Sequence, residues 1–132
     1  MHSEFFFLDE PVALAVHEAQ LAEHGGAAGI RDSGLLASAL ARPRNAAAYE
    51  DPDVAHLAAL YALGIIRNHP FVDGNKRVGT VLLETFLELN GHILTAADGE
   101  LLATIFSIAA HTMSDSDFIA WVRAHAAQGS TA

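Results

Sequence analysis

The chain has 132 residues, 52% of them hydrophobic, and a formal net charge of −9 from 16 carboxylates against 7 cations. That length supports one domain, 1–132, with a real core and is too short for two. With no cysteine, disulfide frameworks and thiolate metal sites are excluded, and the acidic balance argues against direct binding of DNA or RNA. Apolar stretches are interrupted by His56 or Glu84 well short of a membrane span, and no basic region precedes Phe5-Phe6-Phe7-Leu8. The expectation is a soluble cytoplasmic protein of bacterial style, with no membrane partner.

In chain order, Glu4 to Leu8 has strand character, and His92-Ile93-Leu94-Thr95 is its expected partner in a minor β element. Asp9-Glu10-Pro11 offers a cap and a first-turn proline for a helix through His24, ended by Gly25-Gly26, with Val12, Ala15, Val16, Ala19 and Leu21 inward. On this helix His17-Glu18 and His24 do not form a zinc motif. A helical zinc pair needs histidines four apart, and these are seven apart, which separates them by roughly 10 Å. His17 reads as solvated or core-edge, and His2, His56, His92, His111 and His125 show no ligand spacing either.

Leu35, Leu36, Ala39 and Leu40 predict a short helix that begins near Asp32 or Ser33 and stops at Pro43. Arg42 and Arg44 flank that stop, with phosphate binding and solvated surface charge both open as roles. Asp51-Pro52 starts the next helix, in which Val54, Leu57, Ala58, Tyr61 and Ile65 mark one buried face. Pro70 disfavours the α conformation at His69, so this helix stops at Asn68 or His69.

The nine residues that follow, His69-Pro70-Phe71-Val72-Asp73-Gly74-Asn75-Lys76-Arg77, gather a titratable base, a carboxylate, a glycine, an amide and two adjacent cations. Lys76 is the only lysine in the chain. Val78, Val81, Leu82, Leu83, Phe86, Leu87 and Leu89 then predict a central core helix that ends at Asn90-Gly91. Its first turn holds Asn75, Lys76 and Arg77. Cations there oppose the macrodipole, a local cost that makes sense if an anion binds among the free N–H groups, with Gly74 allowing close approach.

Thr95 or Asp98 begins a further helix through His111 or Met113, with Leu101, Leu102, Ile105, Ile108 and Ala109 as its core stripe. Ser114 and Asp117 resemble a capping box for a last helix, Phe118 to Ala126, whose Trp121 is a core anchor. The tail 127–132 is expected to fray. The sum is an all-α bundle of five to seven helices around a central one.

The nine-residue run closely resembles the signature of the Fic/Doc family, and within it the Doc (death-on-curing) toxins of toxin–antitoxin modules. Fic adenylyltransferases read HPFxxGNGRxxR, whereas Doc-type proteins read HxFx(D/N)(A/G)NKR. Lys76 stands where Fic has its second glycine and Thr80 where Fic has its last arginine, and both departures point to Doc. The stretch Gly29-Ile30-Arg31-Asp32-Ser33-Gly34-Leu35-Leu36, behind Gly25-Gly26, resembles the Doc element that precedes the catalytic helices.

The resemblance implies transfer of a phosphorus group from ATP to a protein hydroxyl. Histidine is the side chain whose ordinary pKa lies nearest neutrality, and His69 is the expected general base. Asp73 is the expected Mg²⁺ ligand, and Gly74, Asn75, Lys76 and Arg77 the phosphate-binding set. Phe71 is expected to pin the loop into the core. Lys76 implies a nucleotide reversed relative to Fic, so that the γ-phosphate is transferred, with elongation factor Tu as the target and translation arrest as the result. The alternatives are Fic-type AMP transfer and a catalytically silent module that retains the fold. No inhibitory [S/T]xxxE[G/N] pattern occurs, since Thr85 follows Thr80 to Glu84, so the resemblance implies control by a Phd-type antitoxin folding into an apolar groove beside the site.

Overall fold

The structure is a computed structural model that describes residues 4–129; His2 and the last part of the expected frayed tail, 130–132, lie outside the described residues. Six helices follow in order: α1 Glu10–His24, α2 Ser33–Tyr49, α3 Val54–Asn68, α4 Asn75–Leu89, α5 Asp98–Ala109 and α6 Asp115–His125. Two short strands, β1 His92–Leu94 and β2 Ala126–Gln128, complete the fold. The all-α expectation holds.

The centre of the bundle is α3 rather than α4. Every residue from Leu57 to Ile66 is buried, and α2, α4, α5 and α6 all pack on this helix. Two glycines set how closely they do so. A Cβ on Gly64 would stand 3.0 Å from the Ala39 Cβ of α2, and one on Gly79 of α4 would stand 2.8 Å from Ile66 Cγ1. Buried leucines such as Leu57, Leu63, Leu82 and Leu83 each add roughly 1.5–3 kcal/mol of apolar transfer free energy. In α4 the buried large apolar residues are Val78, Leu82, Leu83, Phe86 and Leu87, while Leu89 is 49% exposed, so its apolar pattern covers less of the surface than its sequence suggests.

The helix starts follow their caps. Asp9 Oδ1 accepts from the Val12 N–H at the start of α1, Asp32 Oδ1 from Leu35 at α2, and Asp53 Oδ1 from His56 at α3. The α3 cap is thus Asp53, two residues past the Asp51 expected from sequence. Ser114 Oγ accepts from the Asp117 N–H, which starts α6 at Asp115, ahead of the expected Phe118. At α5 the N-cap is Ala97, with no side-chain cap bond.

Four further expectations need correction. α2 does not stop at Pro43 but runs through it to Tyr49; a proline inside a helix costs ~3 kcal/mol, and burial of Leu36, Ala39, Leu40, Pro43 and Ala46 on one face offsets that cost. On α1, Ala15 and Ala19 are exposed, and the buried positions are Ala13 and His17. On α5, Leu102 is 59% exposed, and the buried stripe is Thr104, Ile105 and Ile108.

The last correction concerns the β element. β1 pairs antiparallel with β2, His92 opposite Gln128, so residues 127 and 128 belong to a strand rather than a frayed tail, and Ala126 begins that strand instead of ending α6. The Glu4–Leu8 segment forms no strand. Its Phe6 backbone is satisfied by one side chain, the Asn90 amide, which accepts from the Phe6 N–H at 2.8 Å and donates to its carbonyl at 3.0 Å. Phe5 and Phe7 pack against Phe86. Tyr61 holds Leu8, accepting from its N–H at 2.8 Å, and burial pushes the phenol pKa up.

Candidate active site

The site is built where α3 ends and α4 begins. His69 closes α3 in the left-handed conformation, φ 53 and ψ 52, which costs a non-glycine residue ~1–2 kcal/mol. Neighbouring groups hold it there. Arg31 donates through Nε to the His69 carbonyl at 2.6 Å and through a terminal nitrogen to the Asn68 carbonyl at 2.8 Å. Asn68 in turn donates to the Leu35 carbonyl at 2.9 Å, and the Arg31 and Asp32 N–H groups both reach the Pro70 carbonyl. A cation on the last carbonyls of a helix also complements its dipole. The imidazole of His69 is left exposed, facing a cleft.

Phe71 is fully buried, as its expected anchoring role requires. Its ring stacks on His17 with centroids 4.0 Å apart. Its backbone N–H donates to Asn75 Oδ1 at 3.0 Å, and its carbonyl accepts from Asn75 Nδ2 at 2.9 Å. The Asn75 side chain therefore closes the loop on itself, and what Asn75 turns towards an anion is its backbone N–H. Val72 N–H donates to Gly29 at 3.0 Å, tying the loop to the segment after α1.

Asp73 is exposed. Its carboxylate accepts from the Ala27 N–H at 3.3 Å and from the Gly74 N–H at 2.8 Å. These two backbone donors, followed by the charges of Arg77 and Lys76, hold its pKa below the usual carboxylate value. Gly26 makes the approach possible: a Cβ there would stand 2.7 Å from Asp73 Oδ2. Gly74, at φ 83 and ψ 11, begins α4 with no side-chain cap, so the first amides of α4 have no intrahelical partner and the positive end of its dipole is uncapped.

His69, Asp73, Gly74, Asn75, Lys76 and Arg77 all line one cleft of about 760 Å³. Its other side is largely apolar, formed by Ile66, Val81, Leu101, Leu102, Ile105 and Phe106 together with the carboxylate of Asp98. Lys76 Nζ lies 5.5 Å from the centre of the Phe106 ring, within cation–π range. Arg42 and Arg44 stand apart from this cleft. Arg42 pairs with Asp115 at 2.9 Å, beside the Arg67–Asp115 pair, and Arg44 lies over the Phe7 ring at 4.8 Å.

Asp73 also bears on metal binding. No group of three or more His, Cys, Asp or Glu side chains that would enclose a metal exists among the described residues. Two exposed carboxylates, Asp73 and Asp98, line the cleft, a set that fits Mg²⁺, which is bound through one or two carboxylates together with substrate phosphates. It does not fit a resident structural ion.

A protein-family model described as the Fic/DOC family matches residues 7–87. The chain belongs to the Fic/DOC family. The match runs from the segment before α1 almost to the end of α4, so it contains the whole junction, while α5 and its wall of the cleft lie beyond it. Toxin Doc of Mycolicibacterium smegmatis is 42% identical over 74 residues, covering 54% of this chain and 57% of that protein. Protein kinase doc of Escherichia phage P1 is 33% identical over 79 residues, covering 59% of this chain and 63% of the phage protein. The chain thus spans about three fifths of the length of these relatives.

Three contributors to the geometry of this candidate site escaped sequence reasoning in that role: Arg31, His17 and the Gly26-Ala27 backbone. Each reaches the motif across a long sequence separation, 38 residues for Arg31 to His69, 46 for Ala27 to Asp73 and 56 for His17 to Asp73. The Gly25-Gly26 pair and the Gly29–Leu36 run were the signals that touched this region.

Proposed function

We propose that this chain is a Doc-type toxin that transfers the γ-phosphate of ATP to a Ser or Thr hydroxyl of a target protein. The observation that carries the reading is the convergence of His69, Asp73, Lys76 and Arg77 on one cleft, at a helix start that no side chain caps. In the proposed reaction the hydroxyl oxygen attacks the γ-phosphorus, and its bond to the β,γ-bridging oxygen breaks. ADP leaves with that electron pair. His69 accepts the hydroxyl proton. The first amides of α4, with Lys76 and Arg77, stabilise the charge spread over the transferred phosphoryl oxygens. Asp73 is the residue that would hold Mg²⁺, whose chemistry is to neutralise the nucleotide phosphates.

Two further points support phosphate rather than AMP transfer: Lys76 occupies the position of the second glycine of Fic, and one relative is named a protein kinase. On the resemblance to Doc-type proteins, the acceptor is elongation factor Tu in the bacterial cytoplasm and the consequence is translation arrest. No helix among the described residues is long and apolar enough to cross a membrane. Neutralisation falls to a Phd-like antitoxin, for which the apolar side of the cleft, with Leu102 and Phe106 more than half exposed, is a suitable seat for an amphipathic segment. Incubation of the purified chain with a cytosolic extract and either γ- or α-labelled ATP tests the reaction. Label on protein from the γ-position alone is the expected result, and transfer of α-label overturns it in favour of AMP transfer.

A further inference from the structure

His17 is a buried polar side chain to which the proposed reaction gives no task. It is 6% exposed. One face of the imidazole stacks on Phe71 with an interplanar angle of 14°, and Nε2 lies 3.0 Å from the Asp73 carbonyl oxygen. A carbonyl oxygen only accepts, so Nε2 must carry the hydrogen.

This bond decides which way one peptide unit faces. In a trans peptide the C=O and the following N–H point to opposite sides. With the Asp73 carbonyl drawn to α1, the Gly74 N–H is turned away from α1, where it donates to Asp73 Oδ1 at 2.8 Å. The same peptide leads into the left-handed Gly74 and the first turn of α4. Turning it over would lose the His17 bond, withdraw one of the two backbone donors to the Asp73 carboxylate, and redirect the chain that enters the helix. Stacking on Phe71 fixes the imidazole plane, and Asn75 fixes Phe71 from the other direction.

We propose that His17 is a positioning residue of the phosphate loop: its Nε2–H locks the Asp73–Gly74 peptide so that the carboxylate and the α4 amides face the cleft together. The consequence for turnover rests on the phosphotransfer reading; the hydrogen bond itself does not. Two variants separate donor from packing. His17→Phe keeps an aromatic ring against Phe71 and removes the donor, whereas His17→Gln keeps a donor near the Nε2 position. The expected result is a fall of at least about tenfold in kcat for His17→Phe, at an ATP KM within about threefold of the parent, with His17→Gln recovering most of the loss. Equal turnover in both variants, or losses that merely track thermal stability, would overturn the proposal.

A second measurement needs no activity. Ring ¹⁵N shifts of His17 in the intact chain near pH 8 should show a protonated Nε2 in slow exchange with water and a bare Nδ1. The opposite tautomer, or a rapidly exchanging Nε2 proton, overturns the lock even if the variants fail to fold. If the parent transfers no phosphate from ATP, the phosphotransfer reading fails instead, and the ring shifts still decide whether His17 is the donor.

Discussion

The middle of α3 and the place where α3 hands over to α4 are adjacent in sequence and opposite in physical character. From Leu57 to Ile66 each residue is buried in ordinary helical geometry, and two glycines bring the neighbouring helices close. Within the next eleven residues stand a left-handed histidine, an uncapped helix start and two exposed cations set against the helix dipole. The first region lowers the free energy of the fold and the second raises it. A rigid core can tolerate such a junction, because core packing and the Arg31 and Asn75 hydrogen bonds determine its geometry from both sides.

The sharpest way to break this contrast is His69→Gly. It removes the proposed base and relieves the left-handed backbone in one change. Phosphoryl transfer should fall by roughly 10²–10⁴-fold, while the unfolding free energy stays level or rises by up to ~1 kcal/mol, as read by denaturant titration. A clear loss of stability would show that His69 contributes to the fold after all.

Asn75→Ala is expected to act on both sides of the contrast. It strands the Phe71 N–H and carbonyl in a buried setting, at about 1–3 kcal/mol of stability, and it loosens the loop that presents Asp73. Denaturation midpoint and transfer rate should drop together. A variant that kept full stability would mean that the Asn75 amide faces the cleft rather than Phe71.

The smallest effect belongs far from the cleft, at Asp53. The Arg123 hydrogen bond leads the groups that hold its carboxyl below the usual value, and burial opposes them. A depressed carboxylate pKa contributes stability that is present above the unfolded-state value near ~3.9 and is lost as pH falls through the folded one. With about half of each side chain exposed to solvent, the contribution is a fraction of a kcal/mol, of the order of ~0.2–1. Asp53→Asn retains a good helix cap and should flatten the acid limb of the stability curve below about pH 4 without altering transfer at neutral pH. An unchanged acid limb would remove Asp53 from the account.

How much of this was legible in the chain follows from the range of the forces. The helix from Val54 to Asn68, its stop before Pro70, and the restart at Asn75 are local consequences of apolar spacing, a proline and a glycine, and the sequence alone determined them. So too with the set His69, Asp73, Lys76 and Arg77, which a nine-residue run keeps together whatever the fold does. Pro43 misled because its local penalty was weighed without the buried α2 face that outweighs it. The β partner of His92–Leu94 misled because strand character in Glu4–Leu8 says nothing about which partner fills its hydrogen bonds. Only the tertiary structure decided that Arg31 grips the end of α3, that Asn75 turns inward, that Leu102 and Phe106 wall the cleft, and that a histidine from α1 holds the Asp73 carbonyl. Those contacts join residues far apart in the chain, and no local pattern encodes a pairing that exists only once the helices have packed.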